Sequence, residues 1–192
     1  GVGPDRLWGN VWERCAVWGG RLPNPKLMRR ILDNSEEQLV SIHEEVQFLD
    51  EYLLLEGQRF PDRMSYAFHI DPNIDQHEAY IPTMILQPFV ENAIIHGLRP
   101  KSGKGHIQIN FLLDETTQQV ICEVQDNGVG RKIQSSNNNH VSKATSITQR
   151  RLEVIATTYS LTPPPQLAII DLVDDQGLPA GTTVRLYFPL ID

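Results

Sequence analysis

Long apolar runs are missing from this 192-residue chain. No stretch of 18 apolar residues occurs, so nothing in it reads as a membrane-spanning helix, and no secretory signal is recognisable. A membrane segment outside this chain stays open. Cysteine is scarce. Cys15 and Cys122 make neither a metal-binding spacing nor a disulfide framework. Cys122 alternates with apolar neighbours in VICEV, so it is expected to be a small buried residue, which fits a reducing compartment. Positive charge is also short. Lys and Arg number 17 against 24 Asp and Glu, a formal net charge of -7. That balance argues against a nucleic-acid partner, because phosphate contacts need clustered Lys and Arg. It leaves room for a nucleotide, which a few local groups can hold. The rest, 40% hydrophobic and 21% charged, is the composition of a globular protein. The length suits one domain with a sizeable core, plus an appendage.

Organisation follows from periodicity. Residues 1–25 hold all three Trp and five of the 13 Gly, and no helical or strand period lasts there. They read as an irregular arm or a non-native leader. From Lys26 the pattern turns helical. Ser41 with Glu44 three residues on is a capping box, which predicts a helix starting near Ile42. Leu39, Ile42, Val46, Leu49 and Leu53 then fall three and four apart, the spacing of a coiled-coil seam. Such a helix needs a partner, either its own domain or another subunit. MSYAFHID alternates as a half-buried strand. HIQINFLL and VICEV, joined by DETTQQ, form a β-hairpin. Residues 131–145 are polar and without period, which predicts a lid or a disordered loop. A helix is expected over 147–159, with Ile147, Leu152, Ile155 and Ala156 apolar. QLAIIDLV and TTVRLYFPL are the last strands. Local hairpins with helices between strand groups give an α+β class, helices on one face of a mixed, mostly antiparallel sheet.

Three stretches carry chemistry. In LQPFVENAIIHG (86–97) the apolar residues share a helix face, yet Asn92 and His96 lie one turn apart beside it, with Gln87 and Glu91 on the other edge. Asn offers a neutral oxygen to a hard cation such as Mg²⁺, and His96 could donate to a phosphate. Read alone, both could equally brace a neighbouring loop. In Asp126-Asn127-Gly128-Val129-Gly130 the glycines allow positive φ and close approach. Asp126 could accept from an exocyclic amine. Read alone, Asn-Gly is an ordinary turn, and the stretch is neither a Walker loop nor a Rossmann fingerprint. Gly181-Thr182-Thr183 read alone is a hairpin turn.

The order changes the reading. NAIIHG, then DNGVG, then a polar segment, then GTTVRLYFP resembles the ATP-binding fold shared by gyrase-type ATPases, Hsp90, MutL and histidine kinases. RRILDNSEEQLVSIHEEVQFLDEYLLLEGQRFPDRM followed by IPTMILQPFVENAIIHG resembles the sensor histidine kinases of the LytS type. The resemblance runs from about Lys26 to Pro189. It implies a two-layer α/β sandwich with ATP between helices and a lid. It implies that Asn92 holds Mg²⁺ and through it the phosphates, and that Glu91 and His96 belong to the same catalytic box. It implies that Asp126 reads the adenine amino group, that Gly128 and Gly130 let the chain pass the nucleotide, and that Thr145, Gly181 and Thr182 complete the cofactor site. The helix over 42–57 would close a dimerising, phosphoacceptor hairpin. Residues 26–60 would then be the end of that region and 61–192 the catalytic domain. The implied partners are ATP, a second copy through the N-terminal helix and a response regulator. The implied compartment is the cytoplasm, with any membrane anchor outside this chain.

Two departures qualify that. Family members carry the acceptor His in a motif like NPHFLFN. Here Asn24-Pro25 is followed by Lys26, and His43 stands outside any acceptor motif and reads as an exposed helix residue. The family also often has a glycine where this chain has Ala144. A pseudokinase, or regulatory nucleotide-binding module without turnover, is therefore the alternative. A free-standing ATPase of the same fold is disfavoured, because gyrase-type members place a catalytic Glu where Pro88 stands.

Overall fold

Ser41 caps the first helix reciprocally. The Glu44 amide donates to Ser41 Oγ at 3.2 Å, and the Ser41 amide donates to Glu44 Oε2 at 3.0 Å. The structure is a computed structural model that describes residues 39–131 and 139–190. The leader at 1–25 and the start of the helical region at 26–38 lie outside the described residues.

Strand β1 (Leu39–Ser41) leads into helix α1 (Ile42–Gly57) and pairs antiparallel with β3 (Tyr80–Pro82). The seam of α1 finds its partner at home. Ile42, Val46, Leu49 and Leu53 are buried in the domain's own core, beside Phe48. Burial of each such side chain contributes about 1.5–3 kcal/mol. A polar pin adds to it: the hydroxyl of fully buried Tyr66, on strand β2 (Met64–Ile70), donates to Asp50 Oδ1 at 2.7 Å. A domain boundary at residue 60 therefore cuts one packed core, and α1 is built into the domain. His43 is also corrected. It is half-buried, 2.9 Å from the Gln47 amide nitrogen and stacked on His77 with ring centroids 4.3 Å apart.

The main sheet has the order β2-β4-β5-β7-β6, with β4 (Gly105–Asp114), β5 (Gln119–Asp126), β6 (Gln166–Val173) and β7 (Pro179–Pro189). The hairpins β4–β5 and β6–β7 are local, as expected. The β2–β4 pair is parallel, and every other pair in this sheet is antiparallel. This is the expected mixed, mostly antiparallel α+β sandwich. Alternation decides which face is covered. Tyr66, Phe68, Ile107, Ile109, Phe111, Cys122, Val124, Val184 and Leu186 share one face by register and are buried. Cys122 is the small buried residue its neighbours predicted. Burial pushes its thiol well above the usual range, so it is not a nucleophile.

The crossover between β2 and β4 carries helix α2 (Gln87–Asn92), which continues as a π-helical turn over Ala93–Leu98. The last helix, α3, spans Asn139–Thr158. It starts eight residues before the expected 147. Residues 139–145 are thus helical rather than loop, whereas 132–138 lie outside the described residues. The early turns are rich in Asn, Ser and Thr and carry no apolar period, so nothing in them signals a helix. Leu152 and Ile155 are buried as expected, but Ile147 is 69% exposed.

Candidate functional site

A pocket opens between the sheet's covered face and helices α2 and α3. Its floor is two rows of side chains set by strand register. Val124 on β5 stands opposite Val184 on β7, which stands opposite Ile169 on β6. Two residues along, on the same face, Asp126 stands opposite Thr182 and Thr182 opposite Asp171. The first row and both Asp126 and Thr182 line the pocket. An apolar strip thus lies beside a polar one. The helix side contributes Phe89, Asn92 and His96, and α3 contributes Thr145. The pocket is a cleft open to solvent, with a cavity of about 60 Å³ at its heart. A concave, mostly apolar site with a few convergent polar groups is the common form of a small-molecule site.

Asp126 is its most perturbed group. It is 6% exposed. Burial raises its carboxyl to about 6, against the pull of the Gly128 amide, Lys101 and the Thr182 amide. The Gly128 amide donates to Oδ1 at 2.8 Å. Oδ1 also faces the π-helical turn, since a Cβ on Gly97 would sit 2.6 Å from it. His96 is therefore at the Asp126 end. Asn92 lies four residues back from His96 along the helix, roughly 6 Å at a helical rise of about 1.5 Å per residue. An acid at one end and an amide at the other suit a ligand with a hydrogen-bonding ring and an anionic tail.

The glycines divide by task. Gly130 lines the pocket, and its φ of +68° is a conformation that side chains disfavour. Gly128 does not line it. A Cβ there would meet the Gly97 backbone at 2.3 Å, and the next amide, Val129 N–H, donates to Gly97 O at 3.0 Å. Gly128 thus docks the DNGVG loop onto the π-helical turn, a packing role where a ligand-facing one was expected. Gly181 is similar. Its φ is +135°, and a Cβ would sit 2.0 Å from Asp126 O. Asn127 secures the loop's other side, accepting from the His106 amide at 2.8 Å.

Of the expected site residues, Asn92, His96, Asp126, Gly130, Thr145 and Thr182 meet in one pocket. Gly128 and Gly181 support its wall from behind. Glu91 is not among the lining residues. Its Oε1 accepts from Gln87 Nε2 at 2.8 Å, and its charge acts on Tyr52 of α1, on the helix's other side. The sequence reading missed three residues. Gly97 ends the quoted NAIIHG, and only the loop it meets shows why it must be small. Arg131 follows the glycines directly but reads as the start of a loop. Glu45 hides among the charges of HEEVQ. It is buried, and its carboxylate accepts from the amides of Met84 at 3.0 Å and Leu86 at 3.4 Å. The α2 N-terminus has no side-chain cap of its own, so Glu45 satisfies its entry from a different helix. Met84 there holds a φ of +54°, strained for a side chain. Burial raises Glu45 to about 7 and lowers Arg151, each shift outweighing the attraction between the two. Arg151 donates to Thr83 O as well, so α1, the α2 entry and α3 meet at one buried junction.

Comparison with known proteins places this geometry. No protein-family model matches the chain. The chain is 39% identical over 105 residues to the sensor protein LytS of Oceanobacillus iheyensis, which covers 55% of this chain and 17% of that protein. It is 30% identical over 105 residues to the sensor histidine kinase YpdA of Escherichia coli, covering 55% and 18%. It spans under a fifth of the length of those two relatives. Among solved structures, the histidine kinase domain from the Erythrobacter litoralis EL346 blue-light activated histidine kinase superposes with a TM-score of 0.55 at 12% identity, covering 85% of this chain and 69% of that one. The catalytic domain of the histidine kinase ThkA gives 0.51 at 11%, covering 79% and 95%. Among the described residues no helix is long and apolar enough to cross a membrane. Over about half its length this chain is homologous to sensor histidine kinases of the LytS type, and its fold is that of a histidine-kinase catalytic domain.

Proposed function

We propose that this chain is the ATP-binding catalytic part of a cytoplasmic two-component sensor kinase. It would pass the γ-phosphoryl of ATP to a histidine outside its own sequence, in a dimeric protein that serves a response regulator. One observation carries the reading: a buried carboxylate, Asp126, stands in line with Thr182 beside an apolar floor, while Asn92 faces the same pocket from the helix. The floor would take the flat face of adenine, and Asp126 would accept from its amino group. Asn92 would offer its amide oxygen to Mg²⁺. Among the described residues no cluster of three or more His, Cys, Asp or Glu could hold a metal. Mg²⁺ would therefore rest on Asn92, phosphate oxygens and water, which suits its preference for few protein ligands. What the protein adds to phosphoryl transfer is mainly position and charge neutralisation.

Binding is tested by thermal unfolding with ADP or ATP, with and without Mg²⁺. Ligand at about 100 times its dissociation constant should add roughly 2.7 kcal/mol, more with Mg²⁺ than without. No shift at millimolar nucleotide would remove the reading. Turnover is tested with γ-labelled ATP. The chain alone should take up no acid-labile label, because none of its six histidines sits in the acceptor motif. An added segment carrying that motif should become labelled. Binding without such transfer would favour the alternative, a nucleotide-binding module without turnover. Ala144 motivates that alternative, yet residue 144 lies inside helix α3, where alanine is the best-suited residue and no positive φ is needed.

A further inference from the structure

The pocket's polar row ends in an ion pair that the proposed reaction leaves unused. Asp171 is the third member of the row Asp126–Thr182–Asp171. Arg131 meets it as a fork: Nε donates to Oδ1 at 2.5 Å and Nη2 to Oδ2 at 2.8 Å. A fork of this kind uses only the edge of the guanidinium, and the flat face of an arginine is the part that stacks on an aromatic ring. Arg131 lines the pocket, with 31% of its side chain exposed. The left-handed turn at Gly130, packed against Pro179, carries the chain into that position. Neighbouring strands lie about 4.8 Å apart, so two strand spacings put Asp171 roughly 10 Å from Asp126. The acid that would read the base stands at one side of the floor and the Arg131–Asp171 pair at the other.

We infer that Arg131, held in plane by Asp171, is the outer wall of the base site and stacks on the adenine ring. This rests on the reading of the pocket as an adenine-nucleotide site. Charge decides between base and phosphate as the contact. Asp171 neutralises the guanidinium and sets a carboxylate beside it, which makes the pair a poor anion ligand. A planar, neutral pair at the edge of the apolar floor suits a neutral ring.

The test is calorimetric titration of the whole chain with ATP, adenosine and inorganic tripolyphosphate, for the unaltered protein and for Arg131→Ala, Arg131→Lys and Asp171→Asn. Both residues are partly exposed, so all three variants should fold, which their melting temperatures check. Arg131→Ala should raise the dissociation constants of ATP and adenosine alike, about five- to tenfold, and leave tripolyphosphate unchanged. Arg131→Lys keeps the charge but loses the flat fork, so it should recover little. Asp171→Asn should weaken adenosine less than Arg131→Ala does. A loss for ATP and tripolyphosphate with adenosine unchanged would make Arg131 a phosphate ligand and overturn the inference. Unchanged binding of all three ligands by Arg131→Ala would overturn it too. An unaltered protein that binds neither ATP nor adenosine would instead sink the nucleotide-site reading, and this inference with it.

Discussion

Asp126 should make base binding depend on pH in a direction the structure fixes. In the folded protein its carboxyl titrates near 6, about two units above an ordinary Asp. The amino group of adenine only donates, so the ionised carboxylate is the form that receives it best. Binding should then draw a proton off Asp126 at low pH. Affinity should be level above about pH 7 and fall below 6, approaching tenfold for each unit while the carboxylate fraction declines tenfold. Adenosine is the ligand to use, because it has no phosphates to titrate. Calorimetry at several pH values, repeated in buffers of different ionisation heat, gives affinity and proton count together. At pH 7.5 Asp126→Ala should weaken adenosine by roughly 1.5–3 kcal/mol, the worth of a hydrogen bond to a charged group. That variant also strands the Gly128 amide, so Asp126→Asn is the cleaner one. It keeps an acceptor for that amide, and its affinity should be lower and independent of pH. Affinity that rises on acidification would mean that a protonated Asp126 donates to a ring nitrogen. Affinity flat from pH 5 to 8 in the unaltered protein would remove Asp126 as the base reader.

Much of this was legible because short-range rules and long-range packing agreed. The Ser41–Glu44 cap starts α1 where the sequence puts it, and alternation in MSYAFHI, HIQINFLL and VICEV gives β2, β4 and β5 with the right faces inward. Asn92, His96 and Asp126 converge as the order of motifs implied. The failures share a cause. A heptad-like seam says that a helix needs a partner but not which one, and α1 finds it in its own sheet. Gly128 and Gly181 signal close approach without saying to what, and the neighbour is backbone. The start of α3 is polar, so the hydrophobic period that locates helices is absent from its first turns. Glu45 reads as a surface charge, since one position in a run of acids looks like the next, and Arg131 reads as the start of a loop. Burial and the partner's location are tertiary facts, and both residues depend on them.

Two further predictions test the scaffold. Gly128→Ala should destabilise the domain by at least about 1–3 kcal/mol in urea unfolding, because its Cβ would meet backbone atoms of Gly97 at 2.3 Å; a neutral substitution would mean that the DNGVG loop shifts freely. Glu45 gives the last. Its folded carboxyl titrates near 7 against a usual 4.5, so the folded protein holds a proton that the unfolded chain has released. A raised acid favours the fold fully below pH 4.5, and that contribution is lost as pH rises through 7. Between pH 5 and 7.5 the loss from this one group is roughly 2 kcal/mol, at about 1.4 kcal/mol per unit of displacement. Glutamine cannot titrate, so Glu45→Gln should remove this part of the pH slope. Its carbonyl oxygen can still accept one of the two amides, at Met84 or Leu86. The other groups titrate alike in both proteins, so comparing their urea-unfolding free energies at the two pH values isolates position 45. Identical slopes would mean that Glu45 stays ionised beside Arg151 across the range, and that their attraction outweighs burial after all.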